Sequence, residues 1–351
     1  MTQPSGPTSG DEARDQLISA YRTLGRSARD VALVGDGLRL GRVSILHGAK
    51  AEVLWFDDDG RESTTLSHVP AKLRPHVVAG DWVGLREDVI ASVLARRSAL
   101  RRPDPRRPGV QVLAANVDLV LLVLAIDRGL NSRLLERFAV MAWDSGAQPF
   151  VILAKADGAA NTGETEGLVR SLVPEVDVLT TSALSGQGIE RLRTLLHDGV
   201  TAVMLGASGA GKTSLLNALA GTNETTRAVS PSGDGRHATS TRRLFRLSGG
   251  GVLLDIPGIR LVDLAGQSGV DETFADIDMI AERCRFHNCS HRGDDGCAVE
   301  SAVVAGALAP SRLGNWQRVQ SALAPRRRPS SNRPAPARPS SNALDHRPRR
   351  R

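Results

Sequence analysis

The sequence predicts a multidomain chain: an N-terminal OB-fold β-barrel, a central α/β domain on a parallel sheet, and a C-terminal, mostly helical, metal-binding segment. Three observations carry this. About five strand-like runs crowd into residues 38–98, a strand–helix–strand rhythm starts near residue 113, and all three cysteines fall between Cys284 and Cys297. A chain of 351 residues is also long enough for two or three cores.

Residues 1–36 are rich in Gly, Pro, Ser and charge, with weak periodicity, and read as a disordered extension. Residues 37–100 form the barrel. Its strands include Arg42–Leu46, Ala51–Phe56, Asp81–Leu85 and Val89–Leu94, with a turn at Asp57-Asp58-Asp59-Gly60. The α/β domain spans 101–268. Strands at Val117–Ile126, Phe150–Leu153, Val176–Thr180 and Thr201–Leu205 alternate with helices at Ser132–Trp143, Gly163–Leu172 and Ile189–Leu196. That alternation predicts a parallel sheet covered by helices on both faces. The metal-binding domain spans 269–324, with helices at Ala298–Ala305 and Ser311–Leu323, and 325–351 is an unfolded Arg/Pro-rich tail.

The longest apolar run, Leu119–Ile126, is far shorter than the roughly 20 residues a membrane helix needs. The N-terminus lacks the basic start and apolar core of a secretory signal, so a cytoplasmic protein without membrane contact, acting as a monomer, is expected. The formal charge is +7, and the excess is concentrated. Arg96, Arg97, Arg101, Arg102, Arg106 and Arg107 lie in one stretch, and the tail carries nine Arg against one Asp. Such clusters suit a polyanion, because neutralised phosphates release condensed counterions. Aromatics are only 3% of the chain, which favours backbone and shape recognition of folded RNA over base stacking.

Gly206-Ala207-Ser208-Gly209-Ala210-Gly211-Lys212-Thr213 fits G-x-x-x-x-G-K-[ST], between an apolar strand and an apolar helix opening at Ser214. Its N–H groups point at phosphate oxygens, Lys212 reaches the β- and γ-phosphates, and Thr213 holds Mg²⁺. Ala154-Lys155-Ala156-Asp157 closes another apolar strand and resembles the N-K-x-D guanine motif. An Asp carboxylate accepts from guanine N1–H and its exocyclic amine, donors that adenine lacks there. Ser182-Ala183 follows the next strand, where a backbone N–H meets guanine O6. Position 154 is Ala rather than Asn, so binding should weaken by roughly 1–2 kcal/mol with guanine preference kept. An ATP-using enzyme is disfavoured by Asp157 and Ser182-Ala183.

The motif order is the notable feature. The base-reading pieces come before the phosphate loop, and Asp255-Ile256-Pro257-Gly258, a D-x-x-G stretch, comes last. The set is that of a GTPase, circularly permuted, which one sheet tolerates when the native termini lie close together. In GTPases the Asp of this motif acts on Mg²⁺ through water and its Gly N–H senses the γ-phosphate, roles expected here of Asp255 and Gly258. Ile259 stands where a water-orienting Gln is common, so intrinsic hydrolysis should be slow. A GTP-binding RNA tether with negligible turnover is the alternative.

Cys284, Cys289, His291 and Cys297 form C-x₄-C-x-H-x₅-C, a closed structural zinc set of one Zn²⁺ per chain, with His287 as the competing ligand.

From about Gly41 to Leu323 the sequence resembles the ribosome small subunit-dependent GTPase A (RsgA) family. The resemblance rests on Gly80-Asp81-Trp82-Val83, Ala114–Asp118, Ser145–Pro149, the phosphate loop, Gly235-Arg236-His237, Asp255–Arg260 and the cysteine spacing. It implies GTP hydrolysis to GDP stimulated by the small ribosomal subunit, a role in that subunit's late maturation, and rRNA contact through the OB and zinc domains. It also implies that Thr239, with Ser240 second, contacts Mg²⁺ and that His237 positions the attacking water.

Overall fold

The computed structural model describes residues 9–25, 37–104, 109–159, 161–221, 242–256 and 268–323. The barrel is built from β1 (Arg39–His47), β2 (Lys50–Phe56), β3 (Glu62–His68), β4 (Trp82–Arg86) and β5 (Val89–Val93). Its order is β1-β2-β3-β5-β4, closed by a β1–β4 pairing, and only β3–β5 is parallel. That is the expected OB topology. Inward positions such as Val43, Val53, Val83, Leu85 and Ile90 fill it, as alternation along each strand requires. The Asp57–Gly60 turn is held by the Asp57 carboxylate, which accepts from the Asp59 and Arg61 N–H groups.

A ribbon, β6 (Ala99–Pro103) and β7 (Val110–Ala115), leads into the α/β domain. There β8 (Leu119–Ala125), β9 (Gln148–Ala154), β10 (Asp177–Thr180), β11 (Thr201–Leu205) and β13 (Val252–Asp255) are parallel in the order β10-β9-β8-β11-β13. Edge strand β12 (Arg243–Arg246) runs antiparallel to β13. It touches β1 at Ile45 opposite Arg243, so barrel and sheet form one eleven-stranded array. Helices α2 (Ser132–Asp144), α3 (Thr162–Leu172), α4 (Ile189–Leu195) and α5 (Lys212–Ala220) cover the sheet. Of the apolar positions of α2 at helical spacing, Leu135, Phe138, Ala139 and Ala142 are in the core and Leu134 is half-buried.

The N-terminal extension departs from the expectation of disorder over residues 1–36. Residues Ser9–Arg22 form helix α1, and Tyr21 and Leu24 are buried. The Tyr21 hydroxyl donates to the Leu40 carbonyl at 2.6 Å, and its ring meets Phe56 and Trp82 edge-on. Two large side chains anchor an otherwise polar segment, each contributing about 1.5–3 kcal/mol on burial. A composition average hides such an anchor.

The arginine-rich stretch is also partly structural. Arg96 donates from Nε and Nη2 to the fully buried Asp81 at 2.7 and 2.8 Å, and Arg97 pairs with Asp118 at 3.3 Å. Arg101 and Arg102 stand on the β6–β7 ribbon, whereas Arg106 and Arg107 lie outside the described residues. Between barrel and sheet, Asn116 takes a left-handed conformation (φ 55°). Its amide donates to the Gly80 carbonyl at 3.0 Å and accepts from the Arg97 N–H at 3.1 Å. The buried Arg42 donates to the carbonyls of Leu24 and Asn116 and lies over the Trp82 ring. The stretches Gly80–Val83 and Ala114–Asp118 therefore make the inter-domain joint.

After the sheet come α6 (Ser268–Thr273), α7 (Ala275–Ala281), α8 (Ala298–Val304) and α9 (Pro310–Leu323). This module shares the apolar core with α2, Phe274 and Ile277 clustering with Leu135 and Phe138, and a buried cation ties the two together. Arg312 of α9 reaches Glu136 of α2 at 3.1 Å and Asp276 of α7 at 2.7 Å. It also donates to the Leu172 and Thr273 carbonyls and lies over the Phe274 ring. Burial pushes the Glu136 carboxyl up to about 7, against the opposing pull of Arg312. The tail at 325–351 lies outside the described residues. Among the described residues no helix is long and apolar enough to cross a membrane.

Candidate nucleotide site and metal centre

The site forms at the carboxyl ends of the parallel strands, where open α/β sheets bind ligands. Strand β11 ends at Leu205, the loop 206–211 turns, and α5 opens at Lys212. Gly206 passes so close to β8 that a Cβ there would run into the Val123 carbonyl oxygen. Gly211 has φ +98° and turns the chain into α5. Lys212 folds back into the loop, its Nζ 2.7 Å from the Gly206 oxygen and 2.9 Å from that of Ala207. Burial pulls the Lys212 ammonium below its usual range, and Asp255 opposes this, so the last residue of β13 and the loop lysine share one electrostatic environment. Thr213 and Ser214 occupy the first turn of α5.

Two strands away, Ala154 ends β9 and Lys155 adopts a left-handed conformation, φ 64°. Such a conformation is uncommon for a non-glycine residue and clusters at functional sites. It brings this segment against the phosphate loop. A Cβ on Gly211 would lie 3.6 Å from Ala154 Cβ and 3.9 Å from Lys155 Cγ. Lys155 Nζ pairs with Asp127 Oδ2 at 3.1 Å. The Asp157 carboxylate is exposed and accepts a hydrogen bond from the Ser182 hydroxyl. Ser182 is buried, and its own N–H is spent on the Gln187 carbonyl at 2.9 Å. The Ala156 N–H donates to the Thr181 carbonyl, which stitches the two base-side loops together.

The structure thus brings together Lys155, Asp157, Ser182 and Ala183 on one side, and the 206–214 loop with Asp255 on the other. His237, Thr239, Ser240, Gly258 and Ile259 lie outside the described residues. Sequence reading overlooked Asp127 and Arg128. They form a 3-10 turn, Ile126–Arg128, at the end of β8. Their only signal was position: the carboxyl end of a buried parallel strand beside the phosphate-loop strand.

The second site is compact. One ligand atom each from Cys284, Cys289, His291 and Cys297 lies within 4.8 Å of all the others. A tetrahedral ion with bonds of about 2.0–2.3 Å needs ligand atoms roughly 3.5–4 Å apart, so the set fits with small adjustment. His291 presents Nδ1, 3.3 Å from Cys297 Sγ and 3.7 Å from Cys284 Sγ, while His287 is exposed and outside the cluster. The N–H groups of Ala298 and Glu300 point at the Cys284 and Cys297 sulfurs. The Trp316 ring lies against His291, and Gln317 donates to the His291 carbonyl at 2.6 Å, the kind of outer support that orients metal ligands. Without a cation the Cys289 thiol is pushed up to about 12, by desolvation and then by hydrogen bonding with Cys297 and Cys284. A metal ion in their midst would remove that resistance to ionisation.

The motifs and the fold were compared with those of known proteins. The RsgA GTPase family model matches residues 93–265. The small ribosomal subunit biogenesis GTPase RsgA of Streptomyces coelicolor is 40% identical over 298 residues, covering 81% of this chain and 80% of that protein. The chain belongs to the RsgA GTPase family. RsgA of Opitutus terrae is also 40% identical, over 72% of this chain and 70% of its own. Among solved structures, YjeQ from Thermotoga maritima superposes with a TM-score of 0.59 at 27% identity, over 82% of this chain and all of that one. The circularly permuted GTPase YloQ has the same TM-score at 24% identity and supports the fold. The chain is therefore a GTPase of permuted layout, with a Cys₃His cluster able to hold a metal ion.

Proposed function

We propose that this GTPase acts in late maturation of the small ribosomal subunit, binds rRNA through its OB and zinc domains, and hydrolyses GTP when that subunit stimulates it. The observation that carries the nucleotide part is the nearness of Ala154 and Lys155 to Gly211 across the strand ends, close enough that a Cβ on Gly211 would meet both side chains. It lets the Lys155–Asp157 segment grip a base while the 206–213 loop holds that base's phosphates. Relatives that bear the small-subunit name over most of this chain support the ribosomal part.

In this reading Asp157, steadied by Ser182, accepts from guanine N1–H and the exocyclic amine. Because the Ser182 N–H is already used, the Ala183 N–H serves guanine O6. The loop N–H groups and the α5 N-terminus receive the phosphates. Lys212 then leaves the Gly206 and Ala207 carbonyls for phosphate oxygens, and its buried charge gains a stronger partner. Mg²⁺, held by Thr213 and, through water, Asp255, would neutralise charge developing on the phosphates. His237, Thr239 and Gly258 are assigned the water-positioning, magnesium and γ-phosphate roles. Zinc in the Cys284/Cys289/His291/Cys297 set would be structural, because the protein supplies all four ligands.

The test is turnover and co-sedimentation with separated ribosomal subunits. Small subunits should bind the GTP-loaded protein and raise its hydrolysis rate at least tenfold; large subunits should do neither. Equal response to both subunits would refute the ribosomal assignment.

A further inference from the structure

The 3-10 turn Ile126–Arg128 touches both halves of the nucleotide cleft with two adjacent side chains. Asp127 holds Lys155 of the base-side loop at 3.1 Å. Arg128 lies against the phosphate loop. Its Nη1 is 3.5 Å from the Ser208 carbonyl oxygen, and both Nη atoms are 3.1 Å from where a Cβ on Gly209 would stand. From these contacts we infer that Arg128 is a nucleotide-retaining residue of this GTPase. Its guanidinium steadies the outer turn of the phosphate loop and adds a positive charge to the cradle.

The argument is one of position and charge. Ser208 and Gly209 are the middle of the loop, and their neighbours' N–H groups are those that wrap phosphates. A permanent cation seated on that stretch lies well within the screening length of about 10 Å of any phosphate held there. A guanidinium cannot lose its proton, so the contribution persists at every working pH. The turn is short and follows a strand buried from Leu119 to Leu124, which fixes where Arg128 starts. The pairing also fits the chemistry at residue 154. Ala154 offers no side-chain hydrogen bond to the loops it separates. The Asp127 and Arg128 contacts tie those same two loops to the end of β8 instead. Arg128 is thus a positioning residue whose charge also acts on bound phosphate, rather than a group in the chemical step.

This inference rests on the 206–213 loop being the nucleotide site, so the test carries its own control. Release of a fluorescent GDP analogue is timed in the full-length protein, with Arg128→Ala, Arg128→Lys and Lys212→Ala variants compared at low and high salt. Lys212→Ala should abolish binding; if it does not, the site assignment itself fails. With that control in place, Arg128→Ala should speed release about five- to tenfold, a loss of roughly 1–1.4 kcal/mol. Arg128→Lys should recover most of the difference. The gap between wild type and Arg128→Ala should shrink at high salt, and guanosine, which has no phosphate, should bind both equally. A purely packing role would leave the salt response and the GDP-to-guanosine ratio unmoved. Release within twofold of wild type for Arg128→Ala, beside a dead Lys212→Ala, would overturn the inference.

Discussion

Replacing Arg312 by Met isolates the docking of the cysteine-bearing module on the GTPase domain. Arg312 is 3% exposed and serves Glu136, Asp276 and two carbonyls drawn from both partners. Met keeps most of the volume but none of the donors. Breaking a buried pair costs about 3–5 kcal/mol, because the remaining partner is left uncompensated. Glu136 makes that cost depend on pH. In the native protein its carboxyl ionises near 7 with Arg312 beside it; without the cation it ionises higher still. Near pH 6 the native carboxyl is mostly protonated in both proteins, so the cost comes mainly from Asp276 and the carbonyls. Above 7 the wild type gains the charged pair and the variant does not, which widens the gap by about 1.4 kcal/mol per pH unit until the variant's own carboxyl ionises. Urea unfolding at pH 6 and pH 8, with the metal content held constant, reads the difference directly. We expect about 3 kcal/mol at the lower pH and 4–5 at the higher. Glu136→Gln should remove the pH-dependent part. A cost below 1 kcal/mol, or one that is the same at both pH values, would refute this account of the interface.

Other outcomes follow from the same structure. Leu24→Ala should destabilise the protein by about 2–4 kcal/mol in chemical denaturation, since Leu24 is fully buried; a disordered extension would give no change. Stripping the metal with a chelator should loosen the 268–323 module, seen as new proteolytic cleavage there and altered emission from Trp316 beside His291. Metal affinity should fall as pH is lowered, because binding must displace thiol protons; unaltered cleavage after metal removal would count against a structural ion. Ala154→Asn should tighten GDP binding by about 1–2 kcal/mol in calorimetry, through an amide placed against Gly211. No gain would mean that the Asn position is immaterial here.

Much of this was legible because the signals were local. A phosphate loop between an apolar strand and an apolar helix, four ligands within fourteen residues, and strands of alternating burial each declare themselves within a short window. The parts that escaped depend on long-range packing. Tyr21 and Leu24 look like strays in a polar leader until the barrel supplies Leu40, Phe56 and Trp82. Arg96 reads as one of a cluster of arginines suited to a polyanion until Asp81 is found buried beneath it. Asp127 and Arg128 carry no motif, and only the parallel order of β8, β9 and β11 puts them beside both nucleotide loops. Arg312 is one basic residue among many in the sequence, yet it faces carboxylates that lie 36 and 176 residues away.

The decisive measurement is base specificity after a single change of donor pattern. In Asp157→Asn the side-chain amide donates where the carboxylate accepted, which suits the ring carbonyl of xanthine and rejects the amine of guanine. We expect GDP affinity to fall at least about 100-fold and xanthosine diphosphate to bind in its place, with Lys212→Ala abolishing both. Unchanged GDP affinity in Asp157→Asn would mean that the segment ending β9 does not read the base held by the phosphate loop.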